Sequence, residues 1–247
     1  MPLHALDAPG ATFPSWQPHV RAACYNNTLV VFNAAADEFL FFAEEDASSL
    51  RAAYETPLSP QQRAPEMLEE LVDAGLIRVS RSPAPFLTDD KTSDGTFECH
   101  WPTSPSHLSG TPATGLVLRA LADFSFVKLC KARRNLQKML ARLQPAAGPG
   151  RPRGSVDLAS FVGSVEAAVG TYPLPVSCLE WSFALAKSFQ RAGVPARFVV
   201  GVQTHPFVSH AWVEVANTVF GAPFDVRQQM AVIVDMDVQR PGGPHAG

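Results

Sequence analysis

The stretch Pro173-Leu174-Pro175-Val176-Ser177-Cys178-Leu179-Glu180 constrains this chain more than any other. Its two prolines halt whatever helix precedes them, because proline lacks the amide that continues the ladder. Ser177 followed three residues later by Glu180 has the spacing of a capping box. In that motif the serine satisfies an orphan amide and the glutamate reaches back to the serine's own N–H. A helix is therefore predicted over Cys178 to Ala192, with Leu179, Phe183, Ala186 and Phe189 on one face and Gly193 as its stop. Cys178 is then the first helical residue. Unpaired amides and the positive end of the helix dipole favour a thiolate there, and the thiolate is the nucleophile.

Nucleophilic thiol chemistry needs a base delivered by another element. Downstream, Val194 to Val202 is an unbroken apolar run that reads as a buried strand, and Ser209 to Val215 alternates as a second strand opened by His210. His210 is the expected base; His205, in the intervening loop, has nothing around it that fixes a ring orientation. A third group should orient the imidazole. Glu214, Asp225, Asp235 and Asp237 are the nearby acids. Glu214 lies four residues along the strand from His210, roughly 13 Å away at strand rise, too far to bond the ring. Asp225 follows the turn at Ala216-Asn217-Thr218 and a short strand at Val219-Phe220, where a returning neighbour would bring it back, so Asp225 is the expected third member.

The N-terminal part reads differently. Residues 1–80 carry 4 basic and 11 acidic side chains, whereas the rest of the chain is net basic, so two units with unlike surfaces are expected. After a loose run through Pro18, Val20 to Tyr25 and Thr28 to Phe32 flank Asn26-Asn27, a pair suited to the positive φ of a tight hairpin turn. Glu38 to Phe42 makes a third strand, Ala47 to Tyr54 and Ala64 to Ala74 read as helices, and Leu76 to Val79 closes a wing. This is a small winged-helix-like α+β module. Residues 81–113, rich in Pro, Ser, Thr and Asp, read as a linker in which Phe86, Phe97 and Trp101 are candidates to dock, and residues 114–247 as the second domain. There, Leu116 to Leu143 is too long for one uncapped helix and should break, Gln144 to Gly154 is a loop, and Val156 to Val169 is a further helix. The basic run Lys128, Lys131, Arg133, Arg134, Lys138 and Arg142 reads as a solvated helix face or a docking face.

Composition excludes several functions. At 247 residues and 46% hydrophobic the chain is large enough for one large or two small domains. It holds no apolar run of the roughly 18 residues that a membrane span needs, and no secretory signal, so a cytoplasmic protein without a membrane partner is expected. Four scattered cysteines fit neither a disulfide framework nor a zinc site, and no cofactor is expected. A net charge of −3 argues against nucleic acid as a partner.

Cys178-Leu179, Ala184-Leu185-Ala186, Arg191-Ala192-Gly193-Val194-Pro195-Ala196, Val200-Gly201-Val202 and His210-Ala211-Trp212-Val213-Glu214-Val215 together resemble the lasso-peptide maturation protease, the B protein, over roughly residues 112–240. The resemblance implies a transglutaminase-like, papain-like cysteine protease domain behind an α+β recognition module. Residues 1–80 are similar in element order to the precursor-recognition domain fused to many such proteins, itself like the small peptide chaperone of pyrroloquinoline quinone biosynthesis. It further implies that a ribosomal precursor lays its leader along the edge of Glu38 to Phe42, near a pocket of Phe39, Phe41, Leu68 and Leu71, most of which are expected to be core. Cys178 would then cut the leader–core bond, and the core would pass to an ATP-dependent lasso cyclase, a macrolactam synthetase. One position departs from the family. Its acid lies about a dozen residues beyond the histidine, where this chain has Ala222. Two other readings stay open: an acyl transferase using the same pair, and a leader-binding scaffold whose catalytic half has decayed.

Overall fold

The computed structural model describes residues 13–55, 66–93, 97, 110–144 and 157–238. β2 (Val20–Tyr25) and β3 (Thr28–Asn33) form the expected hairpin, with Asn26 and Asn27 at φ of 46° and 64°. β4 (Glu38–Phe42) pairs antiparallel with β3, entering through Asp37 at φ 54°. Its alternation sends Leu40 and Phe42 toward one core and Phe39 toward another. α1 (Glu44–Glu55) starts three residues earlier than its apolar pattern suggests, because Glu44, Glu45 and Asp46 in the first turn favour the positive helix end. α2 (Glu66–Asp73) follows, and Ala64 and Pro65 lie outside the described residues.

Two strands of the N-terminal part were not foreseen. β1 (Phe13–Trp16) contains Pro14, yet it forms a two-stranded ribbon with β5 (Ile77–Ser80), where a proline need not donate to a central ladder. β6 (Asp90–Lys91) lies within the stretch expected to be linker and pairs parallel with β2. The approach to it is also tied down, with Thr88 donating to the Ala22 carbonyl at 2.7 Å and Cys24 to that of Asp89 at 2.9 Å. Phe86 docks against Trp16 and Tyr54; Trp101 lies outside the described residues. The sheet order is β4-β3-β2-β6, so β4 is an edge strand.

The long helix breaks as its length requires. α3 (Thr114–Ala132) ends at Arg133-Arg134, the latter at φ 47°, and α4 (Gln137–Leu143) resumes beyond it. α5 (Leu158–Thr171) is capped by Asp157, whose carboxylate accepts the Ala159 amide at 3.1 Å. α6 (Cys178–Ala192) has the predicted bounds and ends at Gly193, at φ 74°. Then come β7 (Arg197–Thr204), β8 (Phe207–Val215), β9 (Thr218–Phe220), α7 (Val226–Gln229) and β10 (Ala231–Asp237). They form an antiparallel sheet ordered β10-β7-β8-β9. Phe198, Val200, Val202, Ala211 and Val213 share a core with Phe183, Leu185 and Phe189 of α6. On the opposite face Val199 and Trp212 pack with Val226, Met230, Val232 and Phe97.

Ala23, Tyr25, Val30 and Phe32 of the N-terminal sheet belong to the same buried cluster as α6, so the two parts of the chain share a core. The Asp89 carboxylate adds a bond from the Val232 amide at 2.9 Å. Much of the basic run is consumed internally: Lys128 and Lys131 pair with Glu180, Arg134 with Glu38, and Arg142 lies 3.9 Å over the Phe126 ring. Among the described residues no helix is long and apolar enough to cross a membrane.

Candidate active site

The start of α6 is built as its sequence dictates. The Glu180 carboxylate accepts the Ser177 amide at 2.9 Å and the Ser177 hydroxyl, closing the capping box. Glu180 is fully buried, and Lys128 and Lys131 reach it at 3.2 and 3.3 Å. Burial alone would raise its pKa; the Ser177 hydroxyl, the Lys131 charge, its own amide and Lys128 outweigh that and hold it below the usual carboxylate range. The helix therefore begins over a buried, ionised acid.

Cys178 is the first residue of this helix, with its amide at the end where no intrahelical acceptor exists. Burial pushes the thiol above its ordinary pKa; backbone hydrogen bonds at Ala211 and Leu179 and the Lys131 charge pull downward without reversing it. The helix start favours a thiolate, and burial works against it.

His210 is the fourth residue of β8 rather than its first, paired across the sheet with Gly201. It lines the same cleft as Cys178, a cavity of about 280 Å³ whose wall also includes Lys131, Ser209, Asp37 and Phe39. The imidazole is 4% exposed, with the Phe97 ring centroid at 5.4 Å and that of Trp212 at 6.3 Å. Burial lowers its pKa, and the hydrogen bond to Gly221 only partly offsets this. That bond joins Nε2 to the Gly221 carbonyl oxygen at 2.7 Å. A carbonyl oxygen only accepts, so Nε2 carries the proton and neutral His210 keeps the lone pair on Nδ1.

Asp225 does not occupy that position. Its carboxylate accepts the side-chain amide of Gln229 at 2.8 Å, one turn along α7. The reason is local: β9 ends at Phe220 and the chain turns at Gly221, so the backbone at that turn, and not the residue four further on, meets the ring. Asp235 pairs with Arg197 and Arg227, and Glu214 receives the Trp212 indole N–H at 2.7 Å and Arg227 at 2.6 Å. His205 Nδ1 meets its neighbour Thr204 at 3.0 Å. Among the described residues no cluster of His, Cys, Asp and Glu side chains is placed to share a metal ion.

The residues expected to hold a peptide divide. Phe39 lines the cleft, stacks on Phe32 at 4.7 Å and meets Phe207 at 5.1 Å. Phe41, about half exposed, meets Phe207 edge-on at 4.9 Å. Leu68 and Leu71 are corrected: at 0% and 5% exposure they fill the core with Trp16, Leu50 and Tyr54 and present no surface. Lys131, Asp37, Phe207 and the Gly221 carbonyl were missed. A main-chain oxygen has no residue signature, and the only hint was a glycine beside Ala222.

Residues 120–235 match the model of the Transglutaminase-like superfamily. Over 59 residues the chain is 37% identical to the Microcin J25-processing protein McjB of Escherichia coli, a match spanning 24% of this chain and 28% of that relative. No solved structure matches. The helix and strands that bring Cys178 and His210 to one cleft are accordingly a transglutaminase-like domain, in a mixed α+β chain that resembles the lasso-peptide maturation proteins.

Proposed function

We propose that this chain is a cysteine leader peptidase, acting on a ribosomal lasso-peptide precursor in the cytoplasm and releasing the core for an ATP-dependent cyclase. The observation that carries the reading is that Cys178, at a helix start, and His210, with a defined tautomer, line one cleft. The similarity to a microcin-processing protein supports the substrate class.

In this reading His210 Nδ1 takes the proton from the Cys178 thiol as the sulfur attacks the scissile carbonyl carbon. The oxyanion meets the Cys178 amide at the helix end. The imidazolium then protonates the leaving amine, which departs as the new N-terminus of the core, and the leader remains as a thioester on Cys178. Water, deprotonated by the same Nδ1, cleaves the thioester and frees the leader.

Residues 1–80 act as the recognition domain, residues 114–247 as the protease, with residues 81–113 between them. Among the described residues no strand pairs with the outer side of β4, and that edge suits strand addition by a peptide. Asp37 and Phe39, at the N-terminal end of β4, line the Cys178 cleft. A leader whose C-terminal end must reach Cys178 therefore runs antiparallel to β4, with Phe39, Phe41 and Phe207 beneath it. Tethering then raises the local concentration of the scissile bond.

The test is mass spectrometry of a lasso-precursor peptide incubated with wild-type protein, with Cys178→Ala and with an added primary amine. A single cut lost in Cys178→Ala supports the peptidase; amine incorporation in place of water supports an acyl transferase. Binding without a cut under any condition supports the scaffold.

A further inference from the structure

We propose that the cavity beside Cys178 is a specificity pocket for one apolar side chain from the last residues of the leader, and that the N-terminal part of the chain builds one of its walls. The proposal deepens the peptidase reading above and rests on it for the identity of the peptide.

The cavity grades from polar to apolar. Ser209 is exposed and Asp37 and Lys131 partly so, whereas Phe32, Leu136, Met139, Leu140, Val200 and Val234 are buried. Its open end therefore lies with the first three, and its interior is a surface of aliphatic and aromatic carbon. At about 280 Å³ it falls just below the range of roughly 300–1,000 Å³ that holds a drug-sized ligand, which suits a side chain. An apolar interior offers a charged or hydrogen-bonding group nothing in place of its water, so the occupant is apolar.

Position decides which part of the peptide supplies it. Cys178 and His210 line the same cavity, so a side chain inside it belongs to a residue close to the scissile bond. A leader laid along β4 ends between Phe39 and Cys178, which both belong to the cavity wall, and this puts the occupant on the leader side of the bond.

The wall from the N-terminal part is held firmly. Phe32 and Phe39 are cross-strand partners in β3 and β4 and stack at 4.7 Å. The turn between these strands is pinned to the α3–α4 junction: the Gln137 amide donates to the Ala34 carbonyl at 2.8 Å, and Arg134 meets Glu38 at 3.2 Å. Leu136, Met139 and Leu140 stand on that junction and on α4. Phe39 and Leu140 are thus specificity-determining residues drawn from two parts of the chain.

The test uses the full chain and compares alkylation of Cys178 by iodoacetamide and by N-butyl iodoacetamide, with rates read by peptide mapping. The ratio of butyl to unsubstituted rate at Cys178 should stand roughly tenfold above the same ratio for glutathione, the order that burying a few methylenes contributes. Leu140→Phe, which fills the pocket, and Phe39→Ala, which removes a wall, both folded by circular dichroism, should each pull the ratio back toward that of glutathione. A wild-type ratio equal to that of glutathione, or one unmoved in both folded variants, would overturn the pocket. A ratio unmoved in Phe39→Ala alone would overturn the share of the N-terminal part. With a lasso precursor that is cut, aspartate placed in turn at the last leader residues should find one apolar position whose loss lowers kcat/KM by roughly a hundredfold, the order by which an apolar pocket discriminates. Losses confined to residues after the bond would contradict the proposal. Alkylation needs no peptide, so failure to cut any precursor would remove the peptidase reading and leave the pocket to be judged by the ratio.

Discussion

Phe207, the first residue of β8, stands 5.1 Å ring to ring from Phe39 of β4. The strand that carries His210 is thus braced on the edge strand that faces the cleft, and Phe41 completes the contact at 4.9 Å. Aromatic pairs of this kind contribute about 0.5–1.5 kcal/mol each beyond their buried area. Phe207→Ala is expected to lower stability by roughly 1–3 kcal/mol by that measure and to weaken leader binding about tenfold. Calorimetry and fluorescence titration with a labelled leader peptide check both.

Glu180 ties three elements together at the start of α6. Glu180→Gln keeps its shape but removes the charge that Lys128 and Lys131 meet, and should cost about 2 kcal/mol, the order found when a charged hydrogen-bond partner is lost. The native carboxyl is held below its ordinary pKa, so its contribution is complete above the ordinary carboxylate range and fades as pH falls through the lower folded value. Urea melts of wild type and variant should converge toward the acid end.

Burial of the reactive pair sets the pH window. His210 has a depressed folded pKa, so the unfolded chain binds the proton first and stability falls as pH drops below about 6.5. Cys178 has a raised folded pKa; the unfolded chain loses its proton first, and stability falls as pH rises through the ordinary thiol range. His210→Phe should remove the part of the acid-side loss that sets in near pH 6.5, leaving the Glu180 part at lower pH. Cys178→Ala should lessen the alkaline loss, to which buried Cys24 and Cys130 also contribute, each read from the melting temperature across pH.

Gly201 lies opposite His210 in the sheet, and a Cβ there would sit 2.8 Å from the Trp212 ring and 2.9 Å from Met230 Cβ. Gly201→Ala is expected to destabilise by about 1–3 kcal/mol, as overpacking does. It should also broaden the Trp212 and His210 resonances, which a purely local clash at a surface would leave sharp.

Where local chemistry dictated structure, it was legible in the chain. The Ser177–Glu180 spacing and Gly193 bounded α6 to the residue, and Asn26-Asn27 marked the hairpin, because caps and tight turns are decided by the residues that form them. β10 was absent from the reading although Val232-Ile233-Val234 is a plain apolar run; its identity as a strand depends on pairing with β7, some thirty residues away. β6 is two residues long and exists only because β2 offers its edge. At the candidate site, Cys178 and His210 were singled out by their chemistry, and the structure brings both to one cleft. The contact of the ring with the Gly221 carbonyl was not expected, since any residue type carries a carbonyl and only the turn at Gly221 aims this one. Leu68 and Leu71 carry the pattern of a helix face, which says that a face is apolar and not what covers it; here α1, Trp16 and Tyr54 do.

The most direct measurement is the intact mass of the protein, quenched in acid during reaction with a lasso-precursor peptide. The account predicts a covalent adduct of leader mass, mapped to Cys178 and absent from Cys178→Ala, followed by release of free leader and core. Cleavage that persists in Cys178→Ala, or an adduct mapped to another residue, would contradict it.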